Sequence, residues 1–260
     1  MQRYDDRIAV VTGASSGIGR QVAVDLAARG ATVVGLARRE AMLADLRPHL
    51  QRSSPRSNVF VCDVADVDTL QARLAAVEET HGRIDVLVNN AGINLPTPVG
   101  EGLTNLAVFA EMMATNYDAV VAGTLAVLPG MLRRRSGIVV NVSSDSSRAP
   151  EPRDGGYAAS KAAVSAFTES VAHEIAGRGV HVHVLYPAWV PTAMGTAGNG
   201  APPPKLVRRT EVQVSHLMLE RIGRSRIDID AAWLPKLAVL ARTVLPGAYQ
   251  RSMRRFSDRS

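Results

Sequence analysis

The chain alternates short apolar runs with longer stretches in which apolar positions recur every three or four residues. The runs are IAVVTG (8–13), TVVGLA (32–37), NVFVCD (58–63), IDVLVNNAG (84–92), GIVVNVSS (137–144) and VHVHVLYP (180–187). Between them, residues 17–29, 40–51, 66–81, 105–134 and 156–177 carry a helical period. Most runs are continuously apolar, the mark of strands covered on both faces. Repeated strand–helix–strand units imply right-handed crossovers and a doubly wound parallel sheet. VHVHV departs from this pattern. His181 and His183 alternate with valines there, which places them on a strand face near solvent. No third ligand follows at a suitable spacing, so no metal site is expected. Further on, 210–223 reads as a helix and 226–230 as a short strand.

Composition narrows the picture. With 260 residues and 46% hydrophobic content, the chain can bury one large core, and residues 1–260 are expected to form a single domain. Aromatic residues make up only 4%, as expected where Ala, Val and Leu fill the space between helices and a parallel sheet. The one cysteine, Cys62, excludes an intrachain disulfide and fits a reducing compartment. The start, MQRYDDRIAVVTG, passes from charges straight into a strand rather than a targeting segment. No apolar run reaches the roughly 18 residues of a spanning helix. The expectation is a soluble, cytoplasmic protein. Its net charge of +6 is uneven: residues 201–260 hold 12 Lys and Arg against 5 acids, whereas the first 200 hold 18 against 19. A nucleic-acid partner would need a groove-reading or base-stacking module, and none is visible.

VTGASSGIGRQVAVDLAARG (11–30) follows the first strand and opens the first helix. Gly13, Gly17 and Gly19 allow a tight turn and close backbone approach to a pyrophosphate, beside free N–H groups at the helix N-terminus. The spacing is G-x-x-x-G-x-G rather than the commoner G-x-G-x-x-G. A second loop, PAWVPTAMGTAGNGAPPPK (187–205), follows the sixth strand, where a ligand crevice would open. It reads as a lid or as plain surface disorder. In GGYAASKAAVS (155–165), Tyr157 stands one helical turn before Lys161. A phenol and an ammonium sharing a face suit proton transfer to a carbonyl oxygen.

Taken in order, TGASSGIG, NNAG (89–92), NVSS (141–144) and YAASK resemble the short-chain dehydrogenase/reductase family, over residues 7 to about 195. The resemblance implies an α/β, doubly wound Rossmann fold with a parallel sheet of about seven strands and helices on both faces. It implies a nicotinamide cofactor held by Gly13, Ser15, Ser16, Gly17, Ile18 and Gly19. Asp63 and Val64 would contact the adenine, and Asn90, Ala91 and Gly92 the adenosine side. Pro187, Val190 and Thr192 would lie near the nicotinamide. Where NAD-binding members carry an acid, this chain has Ala37, Arg38 and Arg39. A carboxylate would repel a 2′-phosphate and a guanidinium would bind it, so NADP(H) is favoured over NAD(H).

The family's catalytic roles fall on four positions. Tyr157 would exchange the proton, and Lys161 would lower the phenol's pKa and bind the nicotinamide ribose. Ser144 would orient the substrate carbonyl, with Ser143 as the competing choice. Asn116, in MMATNYDAV, would hold a water in the proton relay. The implied reaction is a reversible interconversion of a secondary alcohol and a ketone or aldehyde. A non-catalytic nucleotide-binding regulator is the alternative, and the full tetrad argues against it. An extended sugar-nucleotide epimerase would need a longer C-terminal domain. One departure stands out: the family's Pro-Gly is Pro187-Ala188 here, and the added methyl restricts φ at that turn.

Substrate choice should lie in 94–102, 145–156 and 187–215, with 187–225 as the substrate-loop region. Asp145, Arg148, Glu151, Arg153 and Asp154 read as a solvated rim, while Trp189, Met194, Leu206 and Val207 suggest a small-molecule pocket that is partly apolar. Residues 231–260 form a basic amphipathic extension, interrupted by Pro235, Lys236, Arg242 and Pro246 and so unable to span a bilayer. Trp233, Leu234, Leu237, Val239, Leu240, Val244 and Leu245 form too much apolar surface to leave in solvent. The extension is expected to close over the substrate side or pack within a homodimer or homotetramer. Peripheral contact with an anionic membrane is the other reading.

Overall fold

In the computed structural model, residues 3–102, 105–196, 203 and 205–257 are described. Seven strands form one parallel sheet: β1 (Ile8–Thr12), β2 (Thr32–Ala37), β3 (Asn58–Val61), β4 (Val86–Asn89), β5 (Gly137–Val142), β6 (Val180–Tyr186) and β7 (Asp228–Asp230). The helices are α1 (Gly17–Ala28), α2 (Glu40–Ser53), α3 (Val67–His81), α4 (Leu106–Met113), α5 (Ala119–Arg134), α6 (Gly155–Glu174), α7 (Ala193–Thr196), α8 (Glu211–Arg221), α9 (Pro235–Val244) and α10 (Pro246–Ser257). The sheet order, β3-β2-β1-β4-β5-β6-β7, is that of the doubly wound Rossmann fold. The winding direction reverses between β1 and β4, which opens a crevice at the carboxyl ends of those strands.

Successive strand residues point to opposite faces, and each face packs on its own helices. Ala9, Val11, Val86 and Val88 join Leu26 of α1, Leu43 and Leu46 of α2 and Met218 of α8 in one cluster. Ile8, Val10 and Leu87 join Leu70 and Leu74 of α3 and Val127 and Met131 of α5 in the other. This double coverage explains why β1 and β2 are buried at every position. The element ends follow local chemistry. Asp66 caps α3 by accepting the Thr69 amide at 3.0 Å, and Thr210 and Gln213 close a reciprocal capping box at the start of α8.

Two features differ from the sequence reading. The helix expected over 105–134 is interrupted: α4 ends at Met113, Ala114–Asp118 form a π turn, and α5 begins at Ala119. The wider turn shifts the face that follows it, and it carries the fully buried Asn116. His183 is buried rather than facing solvent. Its Nδ1 donates to the Arg226 carbonyl at 2.9 Å, and its Nε2 accepts the Gly223 amide at 3.0 Å. The chain between α8 and β7 lies over that strand, which alternation within β6 could not reveal. Burial pushes the imidazole down to about 4.

The extension folds into α9 and α10. Two polar contacts tie it to the rest of the chain: Lys236 Nζ meets Asp230 at 2.7 Å, and Arg242 donates to the Arg148 carbonyl at 2.6 Å. Its apolar residues divide. Leu234 and Val239 are half-buried, whereas Trp233, Leu237, Leu240, Val244 and Leu245 are exposed on the chain itself. Residues 258–260 lie outside the described residues.

Candidate active site

β1 ends at Thr12, and the glycine loop turns from it into α1. Gly13 has φ +66°, and a side chain there would bring Cβ within 2.7 Å of Asn90 Nδ2. The loop can therefore lie directly against the end of β4. Thr12 fastens the two together. Its Oγ1 accepts the amides of Asn90 and Ala91, each at 3.0 Å, and its carbonyl accepts Asn90 Nδ2 at 3.0 Å. Ser16 precedes α1 but makes no side-chain cap, so the first amides of that helix have no side-chain acceptor there. This is a fit for the pyrophosphate of a dinucleotide.

The two arginines after β2 behave differently. Arg39 reaches back onto the loop, donating to Ser15 Oγ at 2.9 Å and Ser16 Oγ at 2.6 Å. Arg38 is more exposed and pairs with Asp63 at 3.7 Å. Val64 is buried beside them in sequence. The structure thus brings Ser15, Ser16, Arg38, Arg39 and Asp63 to one end of the crevice.

At the other end, β5 delivers Ser143 and Ser144, and α6 delivers Tyr157 and Lys161. Ser143 is fully engaged inside the protein, donating to the Lys161 carbonyl at 2.9 Å and lying 2.8 Å from Ser165 Oγ. Ser144 instead lies beside the Tyr157 hydroxyl, where it favours the ionised form, and its Oγ accepts the Ser146 amide at 3.2 Å. Lys161 is 3% exposed, and its Nζ donates to the Val142 carbonyl at 2.8 Å and lies 5.9 Å from the Tyr157 ring centroid. Asn116 grips the Ile93 peptide from both sides: Oδ1 accepts its amide at 2.8 Å, and Nδ2 donates to its carbonyl at 2.9 Å. Nδ2 also reaches Ser160 Oγ at 2.9 Å. Gly92 joins the two ends. A Cβ there would stand 3.0 Å from Asn116 Oδ1 and 3.3 Å from Lys161 Nζ.

The electrostatics correct one expectation. Lys161 does not hold the phenol below its ordinary value. Burial pushes Tyr157 up to about 12; the neighbouring Ser144 opposes this, and Asp154 and Asp145 add to it. Burial likewise brings Lys161 down to about 8. Around these two side chains, desolvation outweighs the attraction that i,i+4 spacing suggests. The acids expected on a solvated rim are also drawn inward: burial lifts both Asp145 and Asp154 to about 6. Arg148 leaves the rim as well, pairing with Asp230 at 2.6 Å and with Asp228, its guanidinium over the Tyr186 ring.

Pro187, Val190 and Thr192 follow β6 along the crevice. Ala188 adopts φ +62°, a left-handed conformation that suits the glycine it replaces. A Cβ at Gly17 would lie 2.9 Å from Thr192 Cγ2, so this loop crosses the start of α1. Residues 197–202 and 204 of the expected 187–225 loop lie outside the described residues. The sequence reading also passed over a buried polar row behind the site. Asn89 donates to Asn141 at 2.8 Å, and Asn141 donates to Thr168 at 3.0 Å. The signal was there: Asn89 and Asn141 are amides inside otherwise apolar runs, and a buried amide needs partners.

Comparison with known proteins agrees with this geometry. The family model for short chain dehydrogenase matches residues 7–201. The 3-oxoacyl-acyl-carrier-protein reductase of Vibrio harveyi is 37% identical over 198 residues, 75% of this chain and 78% of its own. Dehydrogenase/reductase SDR family member 7B of Bos taurus is 33% identical over 263 residues, 95% of this chain and 80% of its own. Among solved structures, F189W actinorhodin polyketide ketoreductase with NADPH superposes with a TM-score of 0.79 at 28% identity, over 89% of this chain and 98% of that one. A short chain dehydrogenase/reductase from Burkholderia phymatum in complex with NAD gives 0.82 at 28% identity, over 94% and 95%. This chain belongs to the short-chain dehydrogenase/reductase family of oxidoreductases.

Proposed function

We propose that the protein is an NADP(H)-dependent oxidoreductase that interconverts a secondary alcohol and a ketone, or an aldehyde and its alcohol. The observation that carries this reading is the meeting of Ser144, Tyr157 and Lys161 at the end of β5, across Gly92 from the glycine loop. A bound nicotinamide would supply or accept the hydride. The chain's own residues do the rest. The loop from Gly13 to Gly19, with Ile18 in the first turn of α1, receives the pyrophosphate. Arg38 and Arg39 neutralise a 2′-phosphate; the end of β2 offers two guanidiniums and no acid, which supports NADP(H). Among the similar structures one carries NADPH and another NAD, so the arginines are the basis for the preference.

Tyr157 gives its proton to the carbonyl oxygen in reduction and takes it back in oxidation, while Ser144 orients that oxygen. A phenol pushed up to about 12 stays protonated at neutrality, so the site rests as the acid that reduction needs. Lys161 supplies positive charge beside the developing phenolate, and Asn116 fixes the turn at Ile93 that faces it. Asp145 and Asp154 disfavour an anionic group next to the reacting carbon, which points to neutral carbonyl substrates. The test is a panel of ketones, aldehydes and alcohols assayed with NADPH and NADH. Turnover with NADPH, lost in Tyr157→Phe, is the expected result. Nucleotide binding without turnover of any carbonyl would favour the non-catalytic regulator.

A further inference from the structure

The exposed side chains of the extension form an ordered stripe. Trp233, Leu237, Leu240 and Val244 are spaced by four, three and four residues. Leu237, Leu240 and Val244 lie in α9 and, at 3.6 residues per turn, fall within about 60° of one another; Trp233 stands just before the helix. All four are exposed, at 61%, 48%, 57% and 62%. Leu245 extends the stripe toward α10. The helix is held in place from its other side, through Lys236 to Asp230 and Arg242 to the Arg148 carbonyl. Charge accompanies the apolar face. From Ala231 to Ser257 there is no acid, against Lys236, Arg242, Arg251, Arg254 and Arg255.

We propose that this face docks on an anionic lipid surface. Charge decides between that partner and a second copy of the chain. Two copies meeting through this segment would bring together two stretches that each carry five cations and no acid between Ala231 and Ser257. An anionic bilayer takes both components: the apolar side chains enter the acyl boundary, and the net positive charge of the segment is drawn to the headgroups. A tryptophan at the edge of the stripe suits that boundary, with an apolar ring and a polar N–H. No helix among the described residues is long and apolar enough to cross a membrane, so α9 would lie along the surface.

The test uses the full chain and vesicles of phosphatidylcholine, with and without phosphatidylglycerol. Co-sedimentation should be at least ~10-fold stronger with the anionic vesicles and should weaken as salt rises. Leu237→Asp with Leu240→Asp should reduce it by at least ~10-fold, because two buried leucyl side chains become charged. A direct readout avoids reliance on that variant: in a Trp189→Phe background, Trp233 emission should shift to the blue with anionic vesicles only. Failure to sediment, sedimentation unchanged in the double variant, or an unshifted Trp233 spectrum overturns the proposal. So does a fall in assembly mass in the double variant, measured by sedimentation velocity without lipid, since the stripe would then be a subunit interface.

Discussion

The β5–α6 edge and the α9–α10 extension are both amphipathic in sequence, but they complete their contacts in different ways. At the first, Asn116 and Lys161 are buried, and both of them, with Ser143 and Ser144, are tied into hydrogen bonds within the chain. At the second, four large apolar residues share one exposed face, and the inward contacts are two cations on an aspartate and a carbonyl. A buried polar site constrains residue identity atom by atom, because an unpaired group costs ~1–3 kcal/mol. An exposed stripe constrains only character and spacing. That is why the short motifs NVSS and YAASK mark one region, while the other reads only as basic and amphipathic.

The sharpest way to break the comparison is to remove one atom from the closed region. Tyr157→Phe should leave NADPH binding intact, by fluorescence titration, and lower kcat by at least ~10²-fold. Leu240→Ser, in the stripe, should leave kcat within ~2-fold, as surface substitutions do. Similar losses from both would mean that the two regions are not distinct in function. The next effect lies at the opposite end of the crevice. Arg38→Asp replaces a cation with an anion, and it should weaken NADPH at least ~10-fold more than NADH. Equal losses for the two nucleotides would show that Arg38 does not meet the 2′-phosphate.

How much was legible follows the same division. Apolar runs located the six strands before β7, most of them continuous because double coverage demands it, and short-range spacing placed Tyr157 and Lys161 on one face of α6. What sequence could not give was the environment. The spacing suggested a phenol eased toward ionisation, but the packing around it does the reverse. Asn116 was named as a helix residue, whereas it sits in a π turn that no period of 3.6 predicts. Thr12 was missed because its role, bonding two amides at the end of β4, depends on a neighbour 78 residues away.

The pH dependence probes the environment directly. Oxidation needs phenolate, and with Tyr157 pushed up to about 12 its fraction rises about tenfold per pH unit below that value. Alcohol oxidation should therefore climb from pH ~7 to ~8, then less steeply as Lys161, brought down to about 8, loses its charge. Carbonyl reduction should stay level over the same range. Initial rates in both directions check this, and an oxidation rate flat from pH ~6 upward would mean a phenol lowered far below the ordinary value of about 10. Smaller still is the effect of ending the chain after Asp230, which removes Lys236 and Arg242 from the Arg148 cluster. The carbonyl KM should move by about 3-fold and the NADPH Kd by less than ~2-fold, the scale of a lost surface ion pair. A large change in the NADPH Kd would show that the extension supports the glycine loop as well.

The smallest effect is expected at Ala188, which lies on the chain between the two regions. Its φ of +62° is left-handed, a conformation that costs a residue with a Cβ roughly 1–2 kcal/mol. Glycine would relieve that strain, and it is the residue the family usually carries there. Glycine also has more freedom to lose on folding, which takes back about 0.4–1 kcal/mol. The two terms leave Ala188→Gly stabilised by about 0.5 kcal/mol, or ~1–2 °C in Tm for a chain of this size. Turnover should change more than stability does. The turn leads through Val190 to Thr192, whose methyl lies against Gly17, so a freer turn loosens the wall of the crevice. Calorimetry beside kinetics separates the two contributions. A Tm lowered by several degrees would mean that the Ala188 methyl contributes more through packing against the core than it costs in backbone strain.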